Sequence, residues 1–139
     1  MKQSPPNGYA AKFSTPYAIA AGILRGDAGL IEYNEAVVKD RAMRALAAKV
    51  SYIIDPANPY PNQFTGHIRV TMTSGEVFEH RQGFFKGGAE NPLSDDDIQR
   101  KFYANCEYGG MTTAQAAQME AVLAGLMDAA RVDLSKLPV

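Results

Sequence analysis

Residues 67–72, His67-Ile68-Arg69-Val70-Thr71-Met72, alternate polar and apolar side chains; the chain then meets Ser74-Gly75 and resumes over residues 77–82. An extended chain points successive side chains to opposite faces, so this spacing predicts a β-hairpin with one wet face and one core face. Ser74-Gly75 supplies the reversal between its limbs. The other strand-forming material is one short run, Val50-Ser51-Tyr52-Ile53-Ile54. Residues 55–66 hold three prolines and are too turn-rich for a regular element. A sheet of three strands is marginal, so a fourth strand is either absent from this chain or supplied by a partner.

Helical signals surround these strands. In Ala11-Lys12-Phe13-Ser14-Thr15-Pro16-Tyr17, Ser14 or Thr15 can cap a helix, and Pro16 sits where a missing N–H costs nothing. Ile19, Ile23 and Leu24 give that helix its apolar stripe, and Gly26 ends it. Asn34 or Asp40 can open further turns, with Val37, Val38, Met43, Leu46 and Ala47 on a buried face. Ser94 with Asp97 starts a helix that turns Ile98, Phe102 and Cys106 inward and breaks at Gly109-Gly110. Thr112 with Gln115 forms a capping box for a last helix, expected through about residue 130, with Met119, Val122, Leu123 and Leu126 on one side.

Strands and helices are segregated along the chain. The expected fold class is therefore α+β: a two-layer sandwich whose mainly antiparallel sheet of three to four strands is covered by helices on one face. Residues 1–11 read as an irregular arm, 12–130 as the domain and 131–139 as a tail. The helix start lies so near Met1 that no element of its own is expected before it, and the chain reads as the later half of something larger.

Net charge is −1, with 14 basic and 15 acidic residues interspersed, so nothing forces a basic face and nucleic acid is not the expected partner. No apolar run reaches membrane-spanning length, and the single cysteine, Cys106, fits a reducing cytoplasm. The expected location is cytoplasmic, with no membrane partner.

Candidate chemistry is sparse. His67 and His80 lie on opposite limbs of the hairpin, where they either face each other or face solvent. Two imidazoles and one thiol fall short of a zinc shell, so no metal is expected. Lys86-Gly87-Gly88 either wraps an anion with backbone N–H groups or is a plain turn. Asp95-Asp96-Asp97 looks like a cation cluster, but the positive end of a helix accounts for it without a ligand. Tyr17 is either an amphipathic core tyrosine or a phenol facing a substrate as hydrogen-bond donor or general acid. Lys12 and Arg81 are either solvated or partners for a carboxylate.

Three blocks carry a resemblance: residues 11–17 with the alanine-rich helix after them, Arg69-Val70-Thr71 through Ser74-Gly75, and Asn91-Pro92-Leu93-Ser94 leading to Lys101-Phe102. Together they resemble, in order, the C-terminal domain of the MmgE/PrpD family. The resemblance implies a smaller α+β lid that meets an all-helical domain, with the active site between them. It also implies that the lid's first strand precedes the Lys-Phe-Ser start, and that Tyr17 matches the lid tyrosine that reaches the site. The function implied is the lid of a lyase or isomerase acting on small di- or tricarboxylates, 2-methylcitrate dehydratase-like, with Tyr17 catalytic and Lys12 and Arg81 binding substrate. No cofactor is implied. The partners implied are a helical N-terminal-type domain or subunit and a small carboxylate substrate. Removing such a helical domain removes the base and the cationic clamps, so the isolated chain is expected to be inactive. The alternative is a non-catalytic ligand-binding or dimerisation module, a homo-oligomer joined by strand pairing at an open sheet edge.

Overall fold

The computed structural model describes residues 2–126, 128, 131, 133, 135, 137 and 138. The chain divides into two compact units, residues 1–53 with 103–139, and residues 54–102.

The first unit opens with α1 (Gly8–Ala11), a single turn at the end of the stretch read as an irregular arm. It forms because the Asn7 side chain accepts the Ala10 N–H at 2.8 Å. α2 (Thr15–Arg25) starts as its residues dictate: Ser14 Oγ accepts the Tyr17 N–H at 3.1 Å, Pro16 occupies the first turn, and Gly26 caps the far end. A 3₁₀ turn (Ile31–Tyr33), α3 (Glu35–Val38) and α4 (Arg41–Ala47) follow, with Asn34 and Asp40 as their side-chain caps. The core is small: Ala11, Tyr17, Ala21, Val38 and Met43 are buried together, with Tyr33 and Val37 packed against them. Burying an aliphatic or thioether side chain such as Val38 or Met43 contributes roughly 1.5–3 kcal/mol.

The buried face of α2 differs from the expected aliphatic stripe. Pro16, Tyr17, Ala20 and Ala21 are buried, whereas Ile23 and Leu24 are exposed. Small residues let the helix approach its neighbours closely, and the Tyr17 ring fills the space an aliphatic side chain would take. Close approach also governs Gly8, whose N–H donates to Glu35 Oε1 at 3.0 Å. A Cβ at Gly8 would stand 2.0 Å from the Tyr33 carbonyl oxygen.

α5 (Asp95–Tyr108) crosses the dividing line, and α6 (Thr113–Ala124) belongs to the first unit. The capping box of α6 is present, Thr112 and Gln115 each bonding the other's backbone N–H. The Tyr103 hydroxyl donates to Glu120 Oε2 at 2.6 Å, and Cys106 and Ala116 are buried. α6 ends at Ala124, and the continuation expected to residue 130 reaches positions 127, 129 and 130, outside the described residues.

The second unit holds the hairpin, β1 (Gly66–Thr71) antiparallel to β2 (Val77–Gln82). Met72 N–H bonds the Glu76 carbonyl and Gly75 N–H the Met72 carbonyl, closing a three-residue loop. Gly75 takes a φ of 88°, the left-handed position such a loop requires. Side chains of Asp55 and Asn58 order the preceding loop by accepting the Ala57 and Tyr60 N–H groups.

The expected sheet of three to four strands is not formed. Among the described residues the only sheet is this two-stranded one, and the hairpin is exposed or half-buried on both faces. Residues 50–54 have strand composition but no strand beside them among the described residues, and a β-strand exists only through a neighbour that takes its N–H and C=O groups. The α+β character stands; the layered sandwich does not.

Replacing Gly8 with alanine forces the new methyl group against fixed backbone rather than a flexible side-chain end. Gly8→Ala is expected to destabilise the chain by about 1–3 kcal/mol, read as a lower urea midpoint at unchanged slope. An unchanged midpoint shows that Gly8 and Tyr33 do not approach in solution.

Candidate functional site

Tyr17 is placed by the first turn of α2 and is 0 % exposed. Its hydroxyl donates to the Glu32 carbonyl at 2.5 Å, and its ring lies 5.7 Å from that of Tyr33. Burial, then the neighbouring Tyr33 and Glu32, raise its pKa above the ordinary phenol value. The phenol is thus a neutral donor at physiological pH, and its one proton is directed at backbone. Glu32 is itself buried. Its carboxylate accepts from Arg25 Nε and from the Gly29 N–H, each at 3.0 Å.

Lys12 follows α1 directly, and its side chain is exposed and carries no ion pair among the described residues. Tyr17 and Lys12 belong to the first unit and Arg81 to the second.

Arg81 sits in a charged cluster built by the hairpin register. His67 opposes Arg81 and Arg69 opposes Glu79, so all four side chains share one face. Glu79 is the hub: Oε1 lies 2.8 Å from His67 Nε2, and Oε2 accepts from Arg69 Nε at 2.8 Å. Arg81 stands 3.8 Å from Glu79 and 3.7 Å from Asp55. The hydrogen bond from Arg69, then that from His67, holds the Glu79 carboxyl below its ordinary pKa. Each cation here already faces a carboxylate, which competes with any incoming anion.

The same register puts His80 opposite Ile68 and therefore on the other face from His67, so the two imidazoles do not meet. Among the described residues no three His, Cys, Asp or Glu side chains gather to hold a metal. The N–H groups of Gly87 and Gly88 bond the Asn91 and Phe85 carbonyls, so this segment is a turn. Lys86 reaches Asp97 at 2.7 Å. Asp97 also caps α5 reciprocally with Ser94, accepting from its N–H and hydroxyl while Ser94 Oγ accepts the Asp97 N–H. Lys86, then Ser94, lowers the Asp97 pKa to about 2.

Reading residues one at a time missed Glu79 and Glu32. Pairing the two alternating limbs outward from Ser74-Gly75 gives the Arg69–Glu79 partnership, so a signal for Glu79 was present. Arg25 and Glu32 are separated by the end of α2, and no periodicity links them.

Comparison with known proteins places the chain. The description "MmgE/PrpD C-terminal domain" matches residues 1–126, and the chain belongs to this family. Human cis-aconitate decarboxylase is 31 % identical over 102 residues, covering 73 % of this chain and 21 % of that protein. The mouse protein of the same name is 31 % identical over 103 residues, with the same coverage. The chain therefore spans about a fifth of the length of the curated relatives it matches. No helix among the described residues is long and apolar enough to cross a membrane.

Two measurements follow from this geometry. Tyr17→Phe keeps the ring but leaves the Glu32 carbonyl without its donor, an expected loss of about 1–3 kcal/mol in urea or thermal unfolding. For Asp97 the folded pKa lies below the ordinary 3.8, so its stabilising effect is complete above 3.8 and is lost as pH falls through about 2. Carboxyl NMR of the folded chain is expected to show that low midpoint, and Lys86→Ala to move it upward.

Proposed function

We propose that this chain acts as the lid-type domain of an MmgE/PrpD-like lyase or isomerase working on small di- or tricarboxylates. A helical N-terminal-type domain or subunit supplies the principal acid–base groups, and the chain alone does not turn over. The observation that carries this reading is the family match over residues 1–126, alongside relatives named for cis-aconitate chemistry. The substrate class taken from those names is a small unsaturated or hydroxylated polycarboxylate, 2-methylcitrate or cis-aconitate.

Physical chemistry favours a divided site. Eliminating water or carbon dioxide from a polycarboxylate requires uncompensated cations, a positioned base and exclusion of bulk water. In this chain Arg69 and Arg81 face Glu79, and Lys86 faces Asp97. Lys12, exposed and without an ion pair among the described residues, is the cation proposed to meet a substrate carboxylate. Arg81, the other cation proposed to bind a carboxylate, is available to one only on release of its two distant carboxylate partners. Tyr17 acts as a proton donor to substrate only on release of the Glu32 carbonyl, so its catalytic use is tied to a rearrangement of the 3₁₀ turn in the assembled enzyme.

The test is reconstitution. The chain is expected to show no conversion of 2-methylcitrate or cis-aconitate alone, and to gain activity when combined with a helical domain of the family. Lys12→Ala is expected to reduce that activity by about 10-fold or more without changing the unfolding midpoint. Turnover by the chain alone, or no complex and no activity with any helical domain, overturns the proposal.

A further inference from the structure

We infer that Asn7-Gly8 is a deamidation site that this fold both requires and holds closed. Asn7 is the only asparagine of the chain followed by glycine. In this reaction the Gly8 backbone nitrogen gives up its proton and bonds to Asn7 Cγ. The Cγ–Nδ2 bond breaks, ammonia leaves with that proton, and a five-membered succinimide remains. Water then opens either ring carbonyl, giving aspartate, or isoaspartate with the main chain routed through Cβ. Water is the sole co-reactant, and nothing is oxidised or reduced. Glycine favours the step because no Cβ crowds the attacking nitrogen and its backbone turns freely.

Packing dictates both residues. A Cβ at position 8 would lie 2.0 Å from the Tyr33 carbonyl oxygen and 3.2 Å from its carbon, both fixed backbone, so only glycine fits. Position 7 is extended and must supply an acceptor for the Ala10 N–H, which Asn7 does through Oδ1 at 2.8 Å. Asn7 is exposed to water, while Gly8 is buried. Two independent structural demands thus place a readily cyclising pair at the entrance to the core.

The same contacts keep the reacting atoms apart. Ring closure needs the Asn7 side chain swung back over the Gly8 nitrogen, which breaks its bond to Ala10. The Gly8 N–H is donated to Glu35 Oε1 at 3.0 Å. That carboxylate stands beside a nitrogen that must become negative, and like charge disfavours this. The preceding arm is tied down by Gln3 Nε2, which donates to the Ala48 and Val50 carbonyls at 3.1 and 2.7 Å, and by the buried Pro5. Cyclisation therefore proceeds from molecules in which this segment has opened, and its rate follows their population. The two products differ in consequence. Aspartate keeps an acceptor for the Ala10 N–H. Isoaspartate inserts an extra main-chain atom where Gly8 has no room to shift, so the segment does not close again.

The experiment follows the whole 139-residue chain by peptide mass mapping at neutral pH, in buffer and in urea. In urea the amide-to-acid mass gain is expected at position 7 ahead of every other asparagine. In buffer the same gain is expected to be about tenfold slower or more. Glu35→Ala is expected to speed the reaction in buffer by about threefold or more and to leave the urea rate unchanged, because residues 7 and 35 meet only in the fold. Asn7→Ser keeps a capping oxygen and is expected to abolish the mass gain. Once separated, the isoaspartate product is expected to show a lower urea midpoint than the unmodified chain, and the aspartate product a midpoint close to it. Equal rates in buffer and urea, first reaction at another asparagine, or a buffer rate indifferent to Glu35→Ala overturns the inference. So does an isoaspartate product as stable as the unmodified chain. The inference stands on this pair of residues and is independent of the catalytic reading.

Discussion

The hydrogen bond from Tyr17 to the Glu32 carbonyl organises the first unit. α1 and α3 have four residues each and α4 has seven, lengths at which an isolated helix does not persist in water. They hold because they share one buried cluster around the Tyr17 ring. Glu32 serves that cluster twice. Its carbonyl receives the phenol, and its carboxylate gathers Arg25 from the last turn of α2 and the Gly29 N–H from the loop beyond. A buried carboxylate is costly unless its oxygens are bonded, and here each of them is. The loop after α2 is thereby fixed at two points, and Tyr33 is carried against the ring it packs on.

The second unit is held differently. Its ordering comes from directed polar contacts at the surface: Glu79 among His67, Arg69 and Arg81, and Asp97 among Ser94, Lys86 and Arg100. Tyr60, Phe64 and Phe85 add edge-to-face contacts while remaining exposed. Such a unit has few buried apolar side chains to set against its conformational entropy, which places it at the low-stability end of the chain. The electrostatics also bear on function. A cation that already faces a carboxylate is a poor first partner for an anion, so residue type alone does not say which exposed cation is available.

What the sequence made legible follows the range of the interactions involved. Caps act over three residues, and those of α2 and α6 were readable, as was the Ser74-Gly75 reversal. The hairpin register extends the same logic, since its alternation is local to two short limbs. The side of α2 that would be buried was less legible. Periodicity ranks Ile23 and Leu24 above Ala20 and Ala21, yet close packing selected the small residues. Tyr17 illustrates the limit for a site. The sequence left a core role and a substrate-facing role open, and only the position of the Glu32 carbonyl shows what the hydroxyl bonds in this structure. The family was legible because it rests on residue order over most of the chain rather than on any single contact.

The missing strands and the exposed apolar segment at residues 51–54 have one physical origin. Val50, Tyr52, Ile53 and Ile54 have the shapes that pack on a pleated surface, so reading them as strand-forming was sound chemistry. Composition can specify only half of a strand, because the other half is a neighbour's row of N–H and C=O groups. Among the described residues, residues 51–54 have no such neighbour, and the exposed apolar side chains and unbonded backbone occur at the same place. Either deficit alone is tolerable in water: exposed apolar residues are common on protein surfaces, and a solvated backbone bonds to water. Their coincidence is what makes pairing favourable, since one added strand removes apolar surface from water and satisfies a row of backbone groups in the same step.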